Sequence, residues 1–344
     1  HESFNWRIYE TLSESQGALL SHHKEQRNYM NFFSYGQWKP APGVLIDAGL
    51  NLNILSYTLS TEYRMDSTDQ SGSYTYQPVL SPRIGISIRH KQEIWTYASA
   101  GHGFSAPSLE ETLLPEGLIN TSLRPERGWN MDLGNRGRLL EGHLNYDLSL
   151  YSILLDDLLV TERVAEDVFT GVNAGSAWNR GLEFMVRGKL HKDDHPAPYN
   201  LDLRLSYHLS KNTFRDFVDD GTDYSGNELP GIPSQLANAT LGGHLGEFSL
   251  EFQYLFTGRQ WMDDANSLEY GSYQLAHLQL SLTHSFSQSP FQLRIYGGIR
   301  NLGDAQYASM ILINAPSFGG SSPRYYYPGS PRLFFLGFKM DIRA

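Results

Sequence analysis

Segments of roughly ten to twelve residues in which apolar and polar side chains alternate recur along this chain, and the connections between them alternate between short and long. In Val44 to Leu55 the apolar set is Val44, Ile46, Ala48, Leu50, Leu52 and Ile54, against Asp47, Gly49, Asn51 and Asn53. Phe248 to Arg259 sets Phe248, Leu250, Phe252, Tyr254 and Phe256 against Ser249, Glu251, Gln253, Thr257 and Arg259. His143 to Ser152 and Phe291 to Arg300 repeat the pattern, and Leu333 to Ile342 closes the chain with Phe334, Leu336, Phe338, Met340 and Ile342 opposite Gly337, Lys339 and Asp341. Successive strand residues point to opposite faces, so each segment has one greasy face and one that needs water. About fourteen such strands can be read.

The connections choose among all-β architectures. Short turns fall near residues 39–43, 89–93, 139–143, 192–198, 244–247 and 286–290. Long, polar, Gly-rich segments fall near 11–26, 60–77, 104–127, 162–176, 213–233, 260–272 and 303–330. One trimmed end and one elaborated end predict an antiparallel up-and-down transmembrane β-barrel, because a Greek-key sandwich has no reason to sort loops by length. Strands of this length match the ~9–11 residues needed to cross a bilayer when tilted. With the last strand ending at the periplasm, the long loops lie outside the cell. The first strand, near Phe4 to Glu10, begins without a preceding turn, which leaves an open edge that lipid does not tolerate.

Composition agrees without deciding. No run of eighteen apolar residues exists, so no membrane-spanning helix is expected, and mean hydropathy is negative, as a barrel with a polar lumen also gives. There is no cysteine, hence no disulfide and no zinc–cysteine site. Tyr 21, Phe 17 and Trp 6 suit aromatic girdles. A net charge of -10 argues against nucleic acid as a partner. The chain starts at His1 with no visible signal peptide, which reads as a processed or truncated product.

Particular residues then carry a family resemblance. Gly101 His102 Gly103 Phe104 Ser105 Ala106 Pro107 Ser108 Leu109 Glu110 Glu111 is followed by Leu123 Arg124 Pro125 Glu126 and by Trp129 Asn130 Met131 Asp132 Leu133 Gly134. Asn173 Ala174 Gly175 Ser176 Ala177, Arg180 Gly181 Leu182 Glu183 and Leu229 Pro230 Gly231 Ile232 Pro233 come next, then Asn301 Leu302 Gly303 Asp304 with Tyr307, and Pro328 Gly329 Ser330 Pro331 Arg332. In this order and spacing they resemble TonB-dependent outer-membrane receptors, well over residues 94–342 and loosely over 1–93. The resemblance implies a barrel of about 22 strands with an N-terminal plug in its lumen, importing iron chelates, haem, cobalamin or glycans with energy delivered through TonB. Residues 1–344 would then be one domain, the C-terminal barrel portion, lacking the plug, its TonB-contacting box and about eight strands. The ending departs from the family, in which the last residue is usually aromatic: here Arg343 and Ala344 follow Ile342.

No catalytic site stands out. Asp156 Asp157 and Asp219 Asp220 are adjacent carboxylates that point apart on a strand or are solvated in a loop. His22 and His23 read as surface histidines in a long loop, and Asp216, Asp219, Asp220 and Asp223 lack the ordered spacing of a calcium loop, so no metal site is expected. Arg124 and Glu126 read as residues that order a loop base. Ligand contacts are expected on the outer loops and upper lumen, where arginine grips carboxylates and aromatic faces pack on rings. The candidates are Arg259, Trp261, Tyr270, Tyr273, Phe318, Arg324 and Tyr325, with Tyr326 and Tyr327 beside them, and a tyrosine girdle is the competing reading of the last three. No histidine lies between Pro107 and the Leu123 box, and Pro115 Glu116 Gly117 Leu118 Ile119 Asn120 resembles iron-chelate receptors more than haem receptors.

The resulting expectation is an outer-membrane receptor for TonB-dependent uptake of a ferric siderophore or similar iron complex, with no cofactor and no enzymatic step. Its partners would be outer-membrane lipid, a small-molecule iron chelate, and TonB through the plug. The alternatives are a passive 14-stranded pore, a receptor for cobalamin, haem or a glycan, and a secreted all-β binding module.

Overall fold

The computed structural model describes residues 2–11, 16–67, 69–91, 93–107, 120–165, 168–189, 199–219, 221–286, 290–315 and 326–342. Fourteen strands among them form one antiparallel wall in chain order. They are β1 (Glu2–Thr11), β2 (Gln16–Ala41), β3 (Val44–Arg64), β4 (Val79–Lys91), β5 (Ile94–Ser105), β6 (Glu126–Leu139) and β7 (Leu144–Asp156). The wall continues with β8 (Ser176–Lys189), β9 (Tyr199–Asp216), β10 (Gln235–Leu245), β11 (Phe248–Thr257), β12 (Tyr273–Ser285), β13 (Phe291–Arg300) and β14 (Leu333–Ile342). Every neighbour in the wall is the neighbour in sequence, which is the up-and-down topology expected of a transmembrane barrel. Among the described residues β1 and β14 do not pair with each other.

The register sorts the side chains. Leu280 faces Gly297, which faces Leu336, along the outer side, and Leu336, Phe338 and Ile342 are 82%, 79% and 71% exposed, as apolar side chains meant for lipid must be. On the other side Lys339 pairs with Asp341 at 2.9 Å, Arg204 reaches Glu251 at 3.9 Å, and the Tyr97 hydroxyl donates to Asp147 at 2.9 Å. Inward tyrosines lie flat over glycines of the next strand: Tyr97 covers Gly134, whose added Cβ would strike the ring. Such pairs close the gap a glycine leaves in a sheet.

Extra structure gathers at one end. There Leu159–Ala165 pairs with Val168–Asn173, Val218–Asp219 with Thr222–Asp223, Gln260–Trp261 with Glu269–Tyr270, and Ala308–Ile311 with Tyr326–Pro328. At the trimmed end Ala41 to Val44 and Leu245 to Phe248 are tight reversals, as the sequence predicts, and Lys91 pairs with Ile94.

The first elaborated connection differs from expectation. Residues 16–26 are not a loop but the upper part of β2, which pairs with β1 on one side and, from Ser21 onward, with Thr58 to Arg64 of β3 on the other. His22 and His23 therefore sit in a ladder, and His23 is buried. The physical reason lies in β3. Above Asn53 its lumenal face turns apolar at Leu55, Tyr57 and Leu59, all buried, and Leu55 and Tyr57 pack with Tyr76 and Leu123 of two long connections folded inward. That burial holds the long β2–β3 ribbon upright. Beside it Glu25 and Arg27 form a buried ion pair, and Arg27 also donates to the Pro107 carbonyl at 3.2 Å.

Candidate functional site

Two loops, after β11 and before β14, converge on the mouth of the lumen. The backbone of Gln260 to Met262 closes a short hairpin with Leu268 to Tyr270, which places Trp261 opposite Glu269 and Gln260 opposite Tyr270. Arg259 lies just past the end of β11. Its guanidinium reaches Glu269 at 3.2 Å and Glu228 at 3.7 Å and lies 5.3 Å from the Trp261 ring. The pairing partners are a carboxylate of its own connection, Glu269, and one of the preceding connection, Glu228, rather than carboxylates across the lumen. Both ion pairs are half-exposed, so they hold the side chain weakly and leave it able to exchange partners.

Tyr270 accepts a hydrogen bond from the Ala308 amide at 2.6 Å and meets Tyr273 edge-on and Tyr326 at a tilt. Tyr273 stacks on Tyr307 at 5.2 Å. The structure thus brings Arg259 with Trp261, and Tyr270 with Tyr273, into adjoining groups on one rim. Phe318, Arg324 and Tyr325 lie outside the described residues. Tyr273 also lines a lumenal cavity of about 640 Å³ together with Tyr97, Asp147, Glu183 and His208. There the Tyr151 hydroxyl is 2.8 Å from His208 Nε2 and the two rings stack.

The sequence reading missed what makes this rim rigid. Asn266 accepts from the Glu228 amide at 2.7 Å and donates to the Glu228 carbonyl at 2.8 Å, so its carboxamide imitates one step of a β-ladder. Asn314 clasps Asp264 in the same manner, accepting from its amide at 3.1 Å and donating to its carboxylate at 2.6 Å, while Asn227 donates to the Asp264 carbonyl. Burial holds the Asp264 carboxyl above the usual carboxylate range, with the Asn314 hydrogen bond pulling the other way and the Asp219 and Asp263 charges adding to the rise. Asparagine in a Gly-rich loop is too common to stand out by composition.

The sequence motifs behave as clamps. Arg124 reaches Asp157 at 2.7 Å, and Asn173 pairs with both polar groups of the Arg124 backbone while donating to the Asp157 carbonyl. Buried Asn301 joins the Ala305 backbone to the Ser330 carbonyl, and Asp304 accepts from the Arg332 amide at 2.8 Å. Arg124 therefore orders a loop base, as read from sequence. Asp156 and Asp157 each face an arginine, Arg215 at 3.6 Å and Arg124 respectively, rather than each other. Among the described residues no group of histidines and carboxylates is arranged to hold a metal ion.

Comparison with known proteins decides the family. The model of the TonB dependent receptor-like β-barrel matches residues 3–302. The chain belongs to the TonB-dependent receptor family. This receptor barrel is therefore a protein of the bacterial outer membrane. Its fold matches the unliganded ferric citrate transporter FecA at 16% identity and TM-score 0.75, covering 98% of this chain and 50% of that one. It also matches the ferric-catecholate import receptor Fiu from K12 E. coli at 14% identity and TM-score 0.68, covering 94% and 46%. A third match is the copper transporter OprC, at 17% identity and TM-score 0.68, covering 98% and 53%. The receptor barrel spans about half the length of these solved relatives, and at such identities the likeness is one of fold.

Proposed function

We propose that this chain is the barrel portion of a receptor that takes up a ferric siderophore or similar iron complex, with TonB acting through a plug domain outside this sequence. The observation that carries the reading is the rim. Arg259 and Trp261 adjoin a tyrosine cluster that opens, through Tyr273, onto a lumenal cavity whose largely apolar lining carries Asp147, Glu183 and His208. An anionic chelate offers carboxylates or catecholates that compete with Glu228 and Glu269 for the Arg259 guanidinium, and the aromatic faces take up its rings and organic arms. Capture requires no covalent step. The solved relatives named for ferric citrate and ferric catecholate support an iron complex, and the copper transporter of like fold makes copper the comparison to run beside it.

The test is binding to the receptor purified from outer membranes, read by tryptophan fluorescence with ferric citrate, a ferric catecholate, a ferric hydroxamate, copper, haem and cobalamin. One ferric chelate is expected to bind, with Arg259→Ala weakening it about tenfold or more, the scale of a lost charge-assisted contact. Saturation by cobalamin or haem and by no ferric chelate would overturn the reading, as would uptake that persists in cells lacking TonB.

A further inference from the structure

The outward face of the wall is free of formal charge from β10 to β14, where residues such as Leu241, Leu250, Leu280, Ile295 and Phe338 follow one another. The wall from β6 to β9 departs from this at its elaborated end. Arg180 of β8 sits directly opposite Lys211 of β9, on the outward parity shared by Leu182 and Leu209 one step below. Like charges directly opposite each other destabilise a sheet unless something neutralises them. Among the described residues neither has a carboxylate partner: Arg180 is stacked on the Trp178 ring at 3.7 Å, and Lys211 is exposed. Arg127 and Arg215 lie on the same face four positions further toward the elaborated end, and the carboxylate between them, Asp156, is taken by Arg215. Arg127 Nε is buried without a hydrogen-bond partner.

The height of this patch identifies its occupant. Leu150 and Leu209 below it are 51% and 42% exposed toward lipid, while Trp129 and Trp178 stand level with or just above it, where indoles mark the boundary between hydrocarbon and headgroups. A free metabolite does not reach such a surface by preference, whereas a membrane lipid is held there by its chains. We propose that Arg180 and Lys211 bind the phosphate of an anionic glycolipid in the outer leaflet, its acyl chains lying along the leucine stripe beneath. Stacking on Trp178 fixes the plane of the Arg180 fork, and arginine forks match phosphate oxygens in pairs. The proposal rests on the long connections lying outside the cell and does not depend on which ligand the lumen takes.

The experiment uses the receptor extracted from outer membranes, stripped of lipid in detergent and titrated with bisphosphorylated lipid A, with its dephosphorylated form and with inorganic phosphate, and read by native mass spectrometry. Bisphosphorylated lipid is expected to bind, and Arg180→Gln with Lys211→Gln is expected to weaken it about tenfold or more, since each basic residue near an anionic surface contributes measurably. Arg187→Gln, on the lumenal face of β8, is expected to leave it unchanged. Should the double variant fail to show the heat-modifiable mobility of a folded barrel, Lys211→Gln alone serves, because it keeps the Arg180–Trp178 stack. Equal binding of the dephosphorylated lipid, equal binding by the variants, or full displacement by millimolar inorganic phosphate overturns the proposal.

Discussion

Asn301 shows what a single side chain does in this wall. It is 2% exposed and its carboxamide serves the Ala305 amide, the Ala305 carbonyl and the Ser330 carbonyl at once. Asn301→Ala removes all three hydrogen bonds, at about 1 kcal/mol each. The expected result is a thermal midpoint several degrees lower for the purified receptor, with Asn301→Asp intermediate because it still accepts from Ala305. His23 carries a pH signature. Burial, together with the charge of Arg64 and the nearby His22, holds its pKa below the ordinary histidine value, and it lies above the level where β3 stops pairing with β4. The unfolded chain then binds a proton that the folded one refuses, so stability is complete above the unfolded pKa near ~6.5 and falls as pH drops below it. Unfolding midpoints measured from pH 8 to pH 5 are expected to fall more steeply for the wild type than for His23→Gln. Glu25, raised by burial, contributes with the opposite sign, and comparing the two proteins cancels it.

At the scale of the strand, β14 tests the assignment of faces. Phe338 points to lipid, and Lys339, one residue on, faces the lumen and pairs with Asp341. Phe338→Lys places an ammonium in hydrocarbon at a cost of roughly 2–4 kcal/mol near the midplane. It is expected to abolish folded, heat-modifiable protein in the outer membrane, while Lys339→Leu accumulates normally. The opposite order, with Lys339→Leu lost and Phe338→Lys accumulating, would reverse the faces, and comparable levels would leave no distinction between them. Strand faces were legible from period-two alternation because one face meets lipid and the other water. The extension of β2 above the membrane was not, since its inner face, from Ser21 to Arg27, alternates nothing apolar and is buried instead by loops distant in sequence.

The whole wall has two unfinished edges among the described residues. β1 begins opposite Arg27, so β2 from Asn28 to Ala41 lacks a partner on that side, and β14 lacks one beyond β13. Backbone groups in lipid must be paired, so strands outside the described wall have to meet these edges, or the wall has to close on itself. The former agrees with a chain that spans half of its solved relatives. The expected intact mass of the receptor extracted from outer membranes is well above 38.9 kDa, and a mass near that value would instead favour the self-closed pore.

The sequence by itself determined the architecture. A period of two, strands long enough for a bilayer and connections sorted by length leave little besides an up-and-down barrel, since each is a local response to lipid on one side and water on the other. It also placed Arg259, Trp261, Tyr270 and Tyr273 at or beside one long connection of the elaborated end. Only the tertiary structure decided that Arg259 is held by Glu228 and Glu269, that asparagine carboxamides lock the rim loops together, and that Arg180 and Lys211 meet on the lipid-facing side. Those contacts join residues from ten to fifty positions apart, and their existence depends on strand register and loop docking, which no local pattern encodes.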